Sequence, residues 1–377
     1  MNILIAPNAF KGSLSAEEAA ASIAEGFRQS KLFCKLTLMP IADGGDGTAA
    51  LIAKKMDSQP IDAMVHDPLG RIIKSSFGFL ADEKTAIIEM SDASGLRLLK
   101  KEDLNPLVAN TRGFGELIRA ALDKGAEKLL LGVGGSATVD GATGLLSELG
   151  IRFFNERGDE IVELPMGLTE LKTIDISGLD PRLRSCEIIV LCDVQNTLLG
   201  NKGSAMVFGP QKGANKNEIF ILEKCLQQLN QITEEALGVG MASLIYGGAA
   251  GGVAAGLAVF LNAKLVSGIE FFLDTSLFDE ALKEADLVIT AEGSLDAQTM
   301  EGKGPYGVAK RAKNKKIPVI ALAGQISLQI ENEMRDYFDV ILPIGHAPVS
   351  MQEAVQNTSA DLMRSSCELG NLLALEL

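Results

Sequence analysis

The chain opens on a short apolar run at residues 3–7, and a helical pattern follows over 15–29. Ser15 stands three residues before Glu18, the spacing of a capping box, so a helix is expected to begin there. A second apolar run at 36–41 leads into a helical stretch at 46–55. The rhythm returns near the C-terminus. Apolar runs at 287–290, 318–323 and 340–344 alternate with helical patterns at 305–313, 326–336 and 350–373. Strands and helices alternating at this spacing predict βαβ units and a parallel sheet.

The middle of the chain differs. Residues 72–79 and 84–90 pattern as antiparallel strands joined through Ala81-Asp82-Glu83. A helix at 111–124, a strand at 128–133, a helix at 141–149, strands at 151–156 and 187–192, and a helix at 215–235 are expected after them. The fold class is therefore α/β: a Rossmann-like parallel-sheet domain, residues 1–64 plus 274–377, interrupted by a second mixed α/β domain, residues 65–273. One stretch, 236–263, carries no charge and has the length of a membrane span. Its seven glycines make it a poor isolated helix, and Glu234 and Glu235 stand where a positive flank would be. It reads as a Gly/Ala-rich turn and packed helix.

Composition narrows the function. Lys and Arg total 35 against 49 Asp and Glu, a net charge of −14, which excludes a general basic footprint for nucleic acid or an anionic membrane. With 47% hydrophobic and 22% charged residues, the chain can bury a sizeable core. The absence of tryptophan argues against an aromatic stacking platform. Five scattered cysteines with no C-x-x-C pair, and only two histidines, give neither a disulfide framework nor a structural zinc site. Residues 1–7 read as a first strand rather than a signal peptide, and a reduced, cytoplasmic compartment is expected.

In open parallel sheets ligands bind beyond the carboxyl ends of the strands, so the residues following each strand are the candidates. They are Asn8-Ala9-Phe10-Lys11-Gly12-Ser13, then Asp43-Gly44-Gly45-Asp46-Gly47-Thr48, then Glu292-Gly293-Ser294-Leu295-Asp296. Lys11, Asp43, Asp46, Glu292 and Asp296 on one edge point to function more than to ordinary turn chemistry. For Asp43 and Asp46, a Mg²⁺ site and a plain turn with Asp46 at a helix N-terminus fit the spacing equally. In the inserted segment, Gly132-Val133-Gly134-Gly135-Ser136-Ala137-Thr138-Val139-Asp140-Gly141 follows a strand and is expected to open a helix, the arrangement of a phosphate cradle. No Lys-Ser/Thr pair ends it, so it is not a Walker A loop. Asp193 with Asn196 past the next strand suits a metal, a hydroxyl substrate or a structural turn, and Lys212 suits a phosphate. Gly302-Lys303-Gly304-Pro305-Tyr306-Gly307 matches G-x-G-x-x-G but lies about ten residues past its strand and lacks the acid that would hold a ribose. It reads better as a helix start, with Pro305 at the first position and Lys303 able to hold an anion. His66 and His346 read as structural or surface residues.

Taken together, these motifs resemble the bacterial glycerate kinases. The matching blocks are residues 10–16, 42–48, 132–141, 192–196, 208–214, 247–256 and 286–304, the last with Glu292, Asp296, Gln298 and Lys303. They run in order along nearly the whole chain. The resemblance implies ATP-dependent phosphorylation of D-glycerate with Mg²⁺, giving phosphoglycerate, most readily 2-phosphoglycerate. ATP and the small acid are then the partners, with no nucleic acid and no membrane; a homo-oligomer is left open. Two departures stand out. The family often has Asn-Asp-Gly-Gly where Val139-Asp140-Gly141-Ala142 stand, and Asn-Pro-Leu where Asn196-Thr197-Leu198 stand.

On this reading Lys11, Lys212 and Lys303 contact phosphate or the glycerate carboxylate. Ser13, Gly134, Gly135, Ser136, Asp140 and Asn196 complete the binding set, and Asp43, Asp46 and Glu292 hold Mg²⁺. Asp193 accepts the proton of the substrate hydroxyl, with Asp296 second. The active site is expected in the cleft between the two domains, where closure would exclude water. Three alternatives remain: a kinase of another small hydroxy acid, an NAD-dependent hydroxy-acid oxidoreductase, and a non-catalytic binder of an acidic metabolite.

Overall fold

A computed structural model of the chain describes residues 1–296, 299–300, 302–327 and 332–375. Its strands, in chain order, are β1 (Asn2–Ile5), β2 (Lys35–Leu38), β3 (Gln59–His66), β4 (Ile72–Leu80), β5 (Thr85–Glu89), β6 (Lys128–Gly132), β7 (Arg152–Phe154), β8 (Thr173–Asp175), β9 (Glu187–Cys192), β10 (Lys264–Ser267), β11 (Leu287–Leu295), β12 (Val319–Ile326) and β13 (Val340–Pro343). The chain divides into two compact units. Unit 1 is Met1–Asp43 with Ile269–Leu377, and unit 2 is Gly44–Gly268. This division differs from joins at 64 and 274: the helix Thr48–Lys55 and β3 belong to unit 2, where β3 pairs along its whole length with β4.

Unit 1 is built on a five-stranded sheet in the order β13-β12-β11-β1-β2, with every pair parallel. Its central strands are apolar on both faces, as a sheet covered by helices on both sides requires; Ile3, Leu4, Ile5, Val288 and Ile289 are all buried. The order runs outward in both directions from the β1/β11 pair. That pair is the topological switch point, where α/β sheets open a crevice for ligands. The helix Ala16–Gln29 begins with the expected capping box, Ser15 and Glu18 each bonding the other's backbone. Its apolar stripe, Ala19, Ala20, Ile23, Ala24 and Phe27, is buried. Gly26 lets this helix close on the helix Met351–Leu373, since a Cβ there would stand 2.2 Å from the Met363 carbonyl oxygen.

Unit 2 is built on a mixed six-stranded sheet in the order β10-β9-β6-β5-β4-β3. Pairs β5–β6, β6–β9 and β9–β10 are parallel, while β3–β4 and β4–β5 are antiparallel. The carboxyl ends of β5, β6 and β9 therefore share one edge, and Glu89, Gly132 and Cys192 mark it. The charge-free stretch becomes the helix Ala249–Leu261, interrupted by left-handed backbone at Ala250, Gly251 and Gly252. Gly251 is needed there because its Cα lies against the Thr138 carbonyl, which a Cβ would approach to 2.0 Å. Its own carbonyl accepts the Gly141 N–H at 3.0 Å. The segment thus braces the glycine loop after β6, and among the described residues no helix is long and apolar enough to cross a membrane.

Candidate active site

At the switch point of unit 1, β1 ends at Ile5 opposite Ile289, and β11 continues beyond it. β11 runs five residues past the expected end at 290, so Glu292 sits within the strand and not in a loop after it. It pairs with Ala323 of β12 and is 6% exposed. Its Oε2 is buried and has no hydrogen-bond partner among the described residues. Burial pushes its carboxyl up to about 8; the neighbouring Asp43 and Asp296 charges act in the same direction, and Lys303 and Lys11 oppose them. Those four charged groups therefore surround one buried carboxyl.

Asp43 is 4% exposed, and its Oδ2 accepts from the Asn8 side chain at 2.7 Å and from the Gly304 N–H at 3.2 Å. The second of these donors is the first residue of the helix Gly304–Asn314, with Lys303 as its N-cap and Pro305 in its first turn. The glycine motif is thus a helix start held on a carboxylate. A Cβ at Gly304 would meet the Ile41 side chain at 2.9 Å and Asn8 at 3.0 Å. Asp296 anchors the short turn before it, its N–H donating to Thr299 Oγ1 at 3.2 Å. Gln298 lies outside the described residues. Ser13, expected to bind phosphate, instead ties its loop to the C-terminal helix. Its hydroxyl donates to the Val355 carbonyl at 2.6 Å, and its N–H donates to the Phe10 carbonyl.

In unit 2 three loops converge. Gly44 takes φ +97° and packs on the end of β9, where a Cβ would lie 2.7 Å from the Cys192 carbonyl carbon and 2.9 Å from the Asp193 nitrogen. Gly134 packs on the same loop, and a Cβ there would lie 2.2 Å from the Gly45 carbonyl carbon. Asp46 is exposed and accepts a short hydrogen bond from the Ser91 hydroxyl. The backbone of Gly45 and Asp46, the Gly134-Gly135 pair and the start of Asp193 are therefore neighbours, as glycine-rich approaches to an anion require.

Lys212 is buried beneath this glycine loop, its Nζ donating to Ser136 Oγ and to the Thr138 carbonyl, each at 2.7 Å. Burial pulls its ammonium down to about 7, while the charges of Asp140 and Asp193 hold it up. Lys212 is thus a strut beneath the loop.

Two expected ligand contacts become braces. Asp140 is fully buried, and its carboxylate accepts from the Thr111 N–H and hydroxyl and from the N–H groups of Ala142 and Gly144. Burial raises its pKa, and those four bonds oppose the rise. The helix after the loop begins only at Thr143 and is six residues long, with its first donors already taken by Asp140. A phosphate cradle at that helix N-terminus is therefore not formed; what remains is the loop backbone above Lys212. Asn196 likewise turns inward, its side chain donating to the Lys202 carbonyl at 2.8 Å.

The expected metal trio divides between the units: Asp43 and Glu292 in unit 1, Asp46 in unit 2. Among the described residues no three acidic, histidine or cysteine side chains cluster as a ready metal site. Mg²⁺ commonly takes one or two carboxylates and completes its shell with water and phosphate oxygens. A buried Asp43–Glu292 pair with one unpartnered oxygen fits that habit.

Sequence reasoning missed Glu89 and Ser91. Glu89 ends β5, is 3% exposed, and accepts the Ala49 N–H at 2.7 Å through Oε2, while Oε1 is buried with no hydrogen-bond partner among the described residues. Burial pushes its carboxyl up to about 8; the Ala49 bond and the Arg97 charge oppose this, and the Asp46 and Asp193 charges add to it. The available signal was a lone acid closing the otherwise apolar run Ala86-Ile87-Ile88 at a strand tip.

Charged groups at the switch point of a parallel sheet in unit 1, and glycine loops over a buried lysine in unit 2, are each suited to small anions. The chain belongs to the glycerate kinase family: the model of that family matches residues 3–374. It is 41% identical over 375 residues to the glycerate kinase of Bacillus subtilis strain 168, covering 100% of this chain and 98% of that protein. It is 40% identical, over the same shares, to the glycerate 2-kinase of Escherichia coli K12. A crystal structure assigned as glycerate kinase 2 from Salmonella typhimurium LT2 superposes with a TM-score of 0.79 at 39% identity, covering 99% of this chain and 98% of that one. The chain is accordingly a kinase, and the oxidoreductase alternative falls with the glycine motif that suggested it.

Proposed function

We propose that the chain transfers the γ-phosphoryl group of ATP to D-glycerate with Mg²⁺, and that the product is 2-phosphoglycerate. The observation that carries this reading is the buried Glu292, with its unpartnered oxygen beside Asp43 and within the fields of Lys11 and Lys303 at the switch point. Similarity to a protein named glycerate 2-kinase supports the position of transfer. Five free cysteines fit a reduced cytoplasm.

Phosphoryl transfer asks the protein mainly for positioning and for charge stabilisation. Lys11 and Lys303 are assigned to the anionic groups of the two substrates. Asp43 and Glu292 would hold Mg²⁺ in unit 1, and Asp46 is the corresponding group in unit 2. When bound, the ion would supply positive charge against the negative charge that develops on the transferring group. Gly134, Gly135 and Ser136 offer loop backbone to phosphate, with Lys212 supplying positive charge from beneath. An anion arriving there favours the ammonium form of Lys212. Asp193 is assigned to the proton of the attacking hydroxyl, with Asp296 as the second candidate.

The test is a coupled assay of ADP release with ATP, Mg²⁺ and D-glycerate. The wild type is expected to turn over only with all three. Asp193→Asn is expected to lose at least about 100-fold in kcat, in line with removal of a general base, while unfolding at an unchanged temperature. Near-normal turnover of that variant would remove Asp193 as the base.

A further inference from the structure

We propose that Glu89 and Ser91 are a pair of positioning residues that fix the direction of the Asp46 carboxylate. The loop and helix start from Asp46 to Ala49 are held at both ends by one short stretch of chain. Ser91 Oγ donates to Asp46 Oδ1, and Glu89 Oε2 accepts the N–H of Ala49. Glu89 is the last residue of β5, and Ser91, fully buried, opens the next turn. Glu89 therefore stands on the sheet of unit 2, and Ser91 lies two residues past it in a buried turn. Asp46 itself is exposed, so without them its side chain would have the rotamer freedom of any surface aspartate.

The surroundings close the remaining freedom. Gly134 leaves no room for a Cβ beside Gly45 and Asp46, and at Gly135 a Cβ would stand 3.0 Å from the Asp46 carboxyl carbon. Gly132 leaves room for Glu89, whose oxygens lie 3.0 and 3.1 Å from where a Cβ would be. The glycines of the β6 loop thus serve two carboxylates on neighbouring chain segments. Arg97 donates to the Ser91 carbonyl at 3.3 Å and pairs with Asp92, which steadies the turn carrying Ser91.

This inference rests on the metal role given to Asp46, and the test separates the two. Ser91→Ala, Asp46→Asn and the double variant form a cycle read in kcat/KM for glycerate and, independently, in Mn²⁺ binding followed by electron paramagnetic resonance. Ser91→Ala is expected to lose about tenfold in both, the scale of one hydrogen bond to a charged group. The double variant is expected to be no worse than Asp46→Asn alone, because the hydroxyl acts only through that carboxylate. Ser91→Thr keeps the hydroxyl and is expected to recover most of the loss. Glu89→Gln keeps an acceptor for Ala49 and is expected to outperform Glu89→Met. Losses that multiply in the double variant, or a Ser91→Ala protein within twofold of wild type, would overturn the proposal. If Asp46→Asn leaves Mn²⁺ binding unchanged, the metal role of Asp46 fails while the cycle in kcat/KM still decides the pair. If the wild type does not turn over glycerate, the functional reading fails and the cycle in Mn²⁺ binding decides it.

Discussion

Glu292 and Lys212 are each ionisable groups taken out of water, and their shifts have opposite consequences for stability. Glu292 moves from an ordinary 4.5 to about 8. Between those values the folded chain holds one proton more than the unfolded chain, so its contribution declines as pH rises from 4.5 to 8 and stays lost above. Lys212 moves from 10.5 down to about 7, so the folded chain holds one proton fewer in that window and stability gains as pH rises through it. Glu292→Gln is therefore expected to flatten the fall in unfolding free energy between about pH 5 and about pH 8, measured by urea denaturation at each. An unchanged slope would mean that the carboxyl is not held protonated. The same variant is expected to lose turnover, since the amide offers a hard cation less charge.

Among the elements, the three converging loops of unit 2 depend on glycine where chain meets chain. Gly134→Ala is expected to cost about 1–3 kcal/mol, because its Cβ has only the backbone of Gly45 and Asp46 to displace. Gly345→Ala, with open space around it and an ordinary backbone, is expected to change stability by no more than about 0.5 kcal/mol. Chemical denaturation of both distinguishes close approach from generic loop flexibility. The helix Ala16–Gln29 and strands β1, β6 and β9 were legible in the sequence because periodicity and caps act locally. β3 was not, because Pro60 and Asp62 are poor strand formers that an edge strand accepts. Nor was the length of β11 and β12: their tips look like loop but pair in register, Ser294 with Gln325 and Leu295 with Ile326. Among the proposed site residues, Asp43, Glu292 and Lys212 were picked out by a polar group at a strand end or in a glycine loop. Asp140, Ser13 and Asn196 have the same signature, yet their hydrogen bonds go to backbone or to Thr111, which no one-dimensional pattern shows.

At the scale of the molecule, two α/β sheets present their strand ends, and each carries its own polar set. Unit 1 contributes buried acid with lysines at a switch point; unit 2 contributes glycine loops over a buried lysine, with Asp46 and Asp193. With Lys11, Lys212 and Lys303 holding anions as proposed, an acidic chain of net charge −14 handles anionic substrates through cations placed where the backbone can also approach. The joins between the units were hard to read because no linker composition marks them, and Asp43 and Gly44, adjacent in one glycine motif, fall on opposite sides. The central claim is phosphorylation of glycerate at its second carbon. Phosphorus NMR of the chain incubated with ATP, Mg²⁺ and D-glycerate tests it most directly. The account predicts one phosphomonoester resonance coupled to the C2 proton, growing in step with ADP. A resonance coupled to the C3 protons, or ADP formed with inorganic phosphate alone, would contradict it.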